Sequence, residues 1–536
     1  MMKKVIKKLL AALLAVAMVC AMAIPAFAGT EGDITKWHSF SAFQIFKGKV
    51  DGNDIKDFKI SNVEWGSNID PDNFLPQLKG ADTIGPLFAN ANSARDVLEV
   101  ISQWHNSDAN SIAFARFVCH YLYPDANAKP KPAVEGGGGS DHIHFDEAGY
   151  YLVVDTTPFS HGDFDHAYNS FLLMVTHEDW NIPITPKAEK PSVKKEVFDN
   201  FDNQDGTSTG DFGSSADHAI NEKFQFKLTA TLPASTDHAY DYYDTYAVCF
   251  KDTLSEGITY DGPDSVVIKS NNNTHDTTID PSKYDIDTKN LENQNYFEVN
   301  IHDVKACAKD AGFDLNDGAT ITFTYTAHLN EKATVNTTSG PTDNKNSVQL
   351  QYSNNPRPGD YWGTTPKSEV YVFTYQLNNT KRAETENGTP LPGAGFKLYS
   401  DKAYEHEVKL YKEGNFYYPI KNAPDKTPVE MKSADDGTFN VRGLDAGTYY
   451  LKETTTPADF TPCSVIPPVT ITANHNGNHV ELDSSKLSTT IINKKAGGIT
   501  LPSTGGIGTT LFYVVGGGLM VAAIVLLVTK KRMENK

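Results

Sequence analysis

The chain has 536 residues, 21% of them charged and 11% aromatic, and a formal net charge of −19. The aromatic content excludes a disordered chain, and the acidic balance excludes a nucleic-acid partner, which would demand a basic face. Five scattered cysteines with no C-x-x-C pair exclude a disulfide scaffold, and the length suits about three domains.

In chain order, "MMKKVIKKLLAALLAVAMVCAMAIPAFA" sets Lys3, Lys4, Lys7 and Lys8 before an apolar run from Leu9 to Ile24. Ala26-Phe27-Ala28 then offers small residues around a cleavage point, so residues 1–28 are predicted to be a secretory signal peptide. A first domain follows over 29–188. Within it, "ARDVLEVISQW" and "SIAFARFVCHYL" space apolar residues at helical intervals, which predicts a helical insertion over Ala94 to Tyr123. "AKPKPAVEGGGGSD" reads as a flexible loop after it. Elsewhere the signal is period two: "FQFKLTATL", "TITFTYTAHL", "SVQLQYS", "VYVFTYQL" and "GTYYLKET" are rich in aromatic and β-branched residues and bounded by Gly, Asn, Asp and Pro. Proline-rich joints at "IPITPKAEKPS" and "SNNPRPGDYWGTTPKS" divide this region into a middle domain over 189–358 and a third over 359–496. The fold class is therefore all-β, three tandem β-sandwiches with a helical insertion in the first.

The last segment, 497–536, has three parts: "LPSTG", an apolar run from Ile507 to Val528, and "KKRMENK". The run is long enough to cross a bilayer as a helix, with Lys530, Lys531 and Arg532 held on the cytoplasmic side. This order resembles the cell-wall sorting signal of Gram-positive surface proteins. The resemblance implies that a sortase reads Leu501, Pro502, Ser503, Thr504 and Gly505, and cuts between Thr504 and Gly505.

Further motifs carry a more specific resemblance. "FSAFQIFKGKV" with "SNVEWG", then "PSVKKEV", "KDTLSEGITY" and "KNSVQLQYSNNP", then "PLPGAGFKLYS", "SADDGTFNVRGLDAGTYYLKETTTP" and "TTIINKK" run through the whole ectodomain. In this order they resemble the backbone (major) pilins of sortase-assembled Gram-positive pili. The resemblance implies Ig-like or collagen-adhesin B-type sandwiches, an isopeptide-forming middle domain, and a third domain with an E-box. It implies no cofactor and no enzyme activity. The implied partners are a pilin-specific sortase, identical subunits, minor pilins, and peptidoglycan reached through a housekeeping sortase. The implied place is the cell wall, in a surface pilus supporting adhesion, with a membrane-held precursor. The alternative is a wall-anchored adhesin or minor pilin that is not polymerised.

The family's chemistry is a Lys–Asn isopeptide bond assisted by a carboxylic acid, and all three groups must then point inward. Strand parity allows a check. Val193, Lys195 and Val197 share one face of "PSVKKEV", with Lys194 and Glu196 on the other. Val248, Phe250, Asp252 and Leu254 share a face, as do Asn346, Val348, Leu350 and Tyr352. The middle-domain expectation is thus Lys195–Asn346 with Asp252 as the acid. In the third domain Tyr449, Leu451 and Glu453 share a face, as do Ile491 and Asn493, and Lys381 follows Tyr375 and Leu377 at even spacing. That gives Lys381–Asn493 with Glu453, although Asn379 makes the lysine's face less apolar. Ordinary salt bridges near the surface are the alternative for these charges.

In the first domain "AGYYLVVDTTP" mimics the E-box but sets Val154 where the glutamate belongs, with Asp155 one residue late. No bond is expected there, with Lys47 the remaining partner. The family also implies an acceptor lysine that joins the next subunit. In "DWNIPITPK", Lys187 after Pro186 is that residue, with Thr185 where the family has tyrosine; Lys190 is the alternative. His142, His144, His161, Asp163, Asp165 and His166 lack the spacing of a metal site and read as solvated loop residues, so no metal is expected. "DNFDNQDG" fails as a calcium loop because Phe201 and Phe212 fall at ligand positions.

Overall fold

The computed structural model describes residues 39–497, except 52–58, 105–107, 126, 136–141, 157–170, 176–179, 184–189, 203–207, 237, 358–361 and 464, together with residues 519 and 523. The signal peptide, Lys187, the LPSTG pentapeptide and nearly all of the apolar run after it lie outside the described residues.

The first unit is built on the run "GYYLVVD". Every residue of this Gly149–Asp155 strand is buried, as expected of a strand covered on both faces. It pairs with Phe40–Asp51 and Phe171–Val175, and Lys59–Trp65 completes the main order. Tyr150, Leu152 and Val154 face a core shared with helices, while Tyr151 and Val153 face Phe40, Ile143 and Phe145. The predicted insertion forms two helices, Ala94–Ile101 and Ala109–Leu122. A third, Pro71–Gly80, precedes them, started by the Asp70 side chain, which accepts from the Asp72 amide, and by Pro71 at its first position.

Two sheets form the middle sandwich. One is six-stranded, running from Thr277–Thr278 through Ile258–Ser270, Ala319–Leu329, Lys223–Leu232 and Ser192–Asp202 to Ser208–Gly213. The other, seven-stranded, includes Ser215–Asp217, Ser368–Phe373, Lys345–Ser353, Val248–Leu254 and Tyr296–Ile301. Strict alternation in Ala319–Leu329 and Lys223–Leu232 sends Phe323, Tyr325, Phe226 and Leu228 into one core with Phe250, Val348 and Leu350 of the opposite sheet.

The run "VYVFTYQL" is not one strand. Ser368–Phe373 stays in the middle sheet, and Tyr375–Ala383 opens the third unit, with Thr374 alone between them. Thr374 is fully buried, and its hydroxyl donates to the Leu444 carbonyl at 3.1 Å. In the third unit Tyr375–Ala383 lies parallel to Ser488–Asn493 in one five-stranded sheet. Gly395–Tyr399 and Gly447–Thr455 pair in the other. Their inner faces meet in a core around Leu377, Phe396, Phe439 and Leu451.

The middle and third units interlock. Gly340–Pro341 pairs with His479–Leu482, the Ile220 amide donates to the Gly443 carbonyl at 2.9 Å, and Asn221 Nδ2 donates to the Pro419 carbonyl at 2.9 Å. Gly443 has φ +82°, and a Cβ there would meet the Ile220 side chain at 2.5 Å, so only glycine permits this approach.

Candidate functional site

Lys195 sits on the first strand of the middle sandwich, paired opposite Leu228. Its neighbour Lys194 is 70% exposed and paired with Glu196 at 2.7 Å, while the Lys195 side chain is wholly buried. Parity is the cause: one residue along a strand reverses the face. Asp252 and Asn346 come from adjacent strands of the facing sheet, in which Asp252 lies opposite Val348 and Leu254 opposite Asn346. Both are fully buried.

The three groups converge on a fourth, Tyr325. Lys195 Nζ contacts Asp252 Oδ2 and lies 3.2 Å from the Tyr325 hydroxyl, which donates to Asp252 Oδ1 at 3.1 Å. Asn346 Nδ2 donates to the same hydroxyl, and Asn346 Oδ1 has no hydrogen-bond partner among the described residues. Phe226 and Tyr325 present their rings to Nζ at 4.9 and 5.2 Å. Burial pulls the Lys195 pKa down to about 8 against the opposing charge of Asp252. Burial raises that of Asp252 despite its hydrogen bonds and the lysine. Both shifts favour a neutral amine beside a protonated acid, the pair that nucleophilic attack on an amide requires.

A second constellation occupies the third unit. Lys381, fully buried, lies beside Ile491 in the parallel ladder, with Ala383 opposite Asn493. Lys381 Nζ contacts Asn493 Oδ1, Asn493 Nδ2 donates to Glu453 Oε1 at 2.7 Å, and Nζ lies 3.7 Å from that oxygen. Glu453 reaches in from the facing sheet, and its other oxygen accepts from the Cys463 amide at 2.7 Å. Burial lowers the Lys381 pKa, with Glu453 opposing. Asn379, which blurred this face in the sequence, is buried: its Nδ2 donates to the Phe439 carbonyl at 3.1 Å, while its Oδ1 has no hydrogen-bond partner among the described residues.

In the first unit Val154 is packed in the helical core and Lys47 is exposed, paired with Glu64 at 3.2 Å. Among the described residues this unit buries no lysine. Lys190 is exposed, and His144 lies exposed on a loop-edge strand. The sequence reading missed Tyr325. Its signal was present, since Ile321, Phe323, Tyr325 and Ala327 share the inward face and only tyrosine brings a polar tip there.

Two family profiles match the chain: the SpaA prealbumin-like fold domain over residues 377–486 and the LPXTG cell wall anchor motif over residues 493–535. The first spans the second constellation's lysine and acid, and the anchor motif takes in Asn493. The chain is thus a multi-domain β-sandwich protein of the Gram-positive surface, anchored in the cell wall through its C-terminal LPXTG motif. Among solved structures it is similar to a backbone pilin of Streptococcus pyogenes, at 15% identity over 86% of this chain and 97% of that one, TM-score 0.46. It is also similar to the Corynebacterium diphtheriae major pilin SpaA, at 14% identity over 86% and 95%, TM-score 0.43. A C-terminal fragment of a Streptococcus agalactiae major pilin shows 22% identity over 57% and 100%, TM-score 0.41. No curated protein matches the chain.

Proposed function

We propose that this protein is the structural shaft subunit of a covalent, sortase-polymerised pilus, stabilised by autocatalytic Lys195–Asn346 and Lys381–Asn493 isopeptide bonds. The observation that carries the reading is the repetition, in tandem sandwiches of a wall-anchored chain, of a buried lysine, asparagine and carboxylic acid brought together, around the Tyr325 hydroxyl in the middle unit and in direct contact in the third. The amine attacks the asparagine Cγ, the acid relays the lysine proton to the leaving nitrogen, and one ammonia departs for each bond made. Holding the groups together in a rigid core supplies the effective concentration. Each site turns over once, so the protein is a substrate of sortase and not an enzyme.

In this reading Lys187 attacks the sortase-bound Thr504 of another copy, and the last subunit is passed to peptidoglycan by a housekeeping sortase. Minor pilins join by the same chemistry. The units are a first domain over 29–188, a middle domain from 189 and a third to 496, with the hand-over between the last two at Thr374. Wild-type cells should give a ladder of SDS-resistant polymers that Lys187→Ala abolishes. Undiminished ladders in that variant would move the acceptor to Lys190, and a single wall-linked band in the wild type would indicate an unpolymerised adhesin or minor pilin.

A further inference from the structure

At the junction of the middle and third units, the turn 218–222 packs against the segment 443–446. His218 is 1% exposed and stacks on Phe224 with ring centroids 4.2 Å apart. Its Nε2 lies 2.7 Å from the Phe198 carbonyl oxygen. A carbonyl only accepts, so Nε2 carries the hydrogen, and Nδ1 of the neutral ring is left with the lone pair. That Nδ1 is buried and has no hydrogen-bond partner among the described residues. One ligand atom from each of His218, Glu222 and Asp445 lies within 4.8 Å of the others. With Nε2 committed, Nδ1 is the atom the imidazole offers.

We propose that His218, Glu222 and Asp445 bind a divalent cation of the zinc class and thereby clamp the middle domain to the third. An imidazole and two carboxylates suit a borderline ion with bonds of about 2.0–2.2 Å, which sets ligand atoms about 3.4 Å apart. Calcium, which takes oxygen ligands, would leave the imidazole unused. Glu222 and Asp445 already accept backbone hydrogen bonds that orient them: Glu222 Oε2 from Ala219 at 3.1 Å and Asp445 Oδ1 from Ala446 at 2.8 Å. The Nε2–H to carbonyl bond is the usual orienting partner of a ligating histidine. Glu222 Oε1 also accepts from Asn200 Nδ2 at 3.3 Å and lies 3.5 Å from Lys421 Nζ, a half-exposed cation that competes with the metal. The nearby group Asp199, Asp217 and His475 is of a different kind. There Nε2 sits 3.4 Å from Asp199 and 3.8 Å from Asp217, and Nδ1 lies 2.9 Å from the Ser215 hydroxyl, so both ring nitrogens are occupied.

The test is equilibrium dialysis of the full-length chain, purified in detergent without a polyhistidine tag and stripped of metal, against Zn²⁺. The wild type should bind one equivalent that Asp445→Asn and His218→Gln weaken by at least about tenfold and that His475→Gln retains. Zn²⁺ should raise the melting temperature of the wild type and leave that of Asp445→Asn unchanged. Lys421→Ala should tighten binding. No bound zinc in the wild type, or affinity in Asp445→Asn within about threefold of wild type, would overturn the proposal. Asp445→Asn alone decides the matter if His218→Gln does not fold.

Discussion

Replacing Asp252 with asparagine removes the proton carrier of the middle-domain site while leaving both bonding partners in place. The side chain is fully buried and held by Lys195 and Tyr325, and the substitution preserves its size. The unlinked product should lack the loss of one ammonia, about 17 Da, that each bond brings. The stability cost follows from chain topology. A Lys195–Asn346 bond closes a loop of roughly 150 residues, worth about 5 kcal/mol of unfolded-state entropy. In a domain of this size about 1 kcal/mol moves the melting temperature by about 2–4 °C, so the variant should melt roughly 10–20 °C lower. Intact mass spectrometry and calorimetry on the same preparation give both readings, and Asn346→Ala, with no amide to attack, calibrates the unlinked state. A full ammonia loss in Asp252→Asn would refute the role of the acid. An unlinked variant with unchanged melting would refute the energetics.

Glu453→Gln should do the same in the third domain, where the bonded pair is 112 residues apart and the same relation gives about 5 kcal/mol; a mass deficit of two ammonias in that variant would remove Glu453 from the chemistry. Tyr325→Phe takes away the hydroxyl shared by Asp252, Lys195 and Asn346, so time-resolved mass spectrometry after refolding should show slower bond formation; an unaltered rate would make Tyr325 a bystander. The unlinked Asn346→Ala chain should show a pH effect from Lys195. Burial holds its pKa near 8 in the folded state against the usual 10.5, so between these values the unfolded chain holds more protons and stability rises with pH. Urea denaturation should show Asn346→Ala gaining on Lys195→Met/Asn346→Ala from pH 8 to 10.5, and a flat or falling difference would contradict the shift.

The sandwich strands were legible because alternation reports the buried face directly, and the same parity separated Lys195 from Lys194. The helix Pro71–Gly80 was not read, since "PDNFLPQLKG" carries an internal Pro76 and buries only Phe74 and Leu78. "VYVFTYQL" looked continuous because nothing in a period-two pattern marks a change of sheet; the break at Thr374 depends on which partners each half finds. In the sequence Tyr325 is one more aromatic on an inward strand face, and its hydroxyl gains meaning only where strands from the facing sheet bring Asp252 and Asn346 to it. The His218, Glu222 and Asp445 group joins segments more than 200 positions apart in sequence, and no local pattern announces such a meeting.

Thr374 leaves no slack between the two sandwiches. A joint of one buried residue, flanked by strands pinned into different sheets and braced by the pairing of Gly340–Pro341 with His479–Leu482, has no length over which to hinge. Sideways drag on the outer part of the molecule is therefore transmitted as leverage to the base instead of being absorbed by bending at this joint. The pair behaves as a single stiff strut, and whatever compliance the protein has must come from elsewhere along its length.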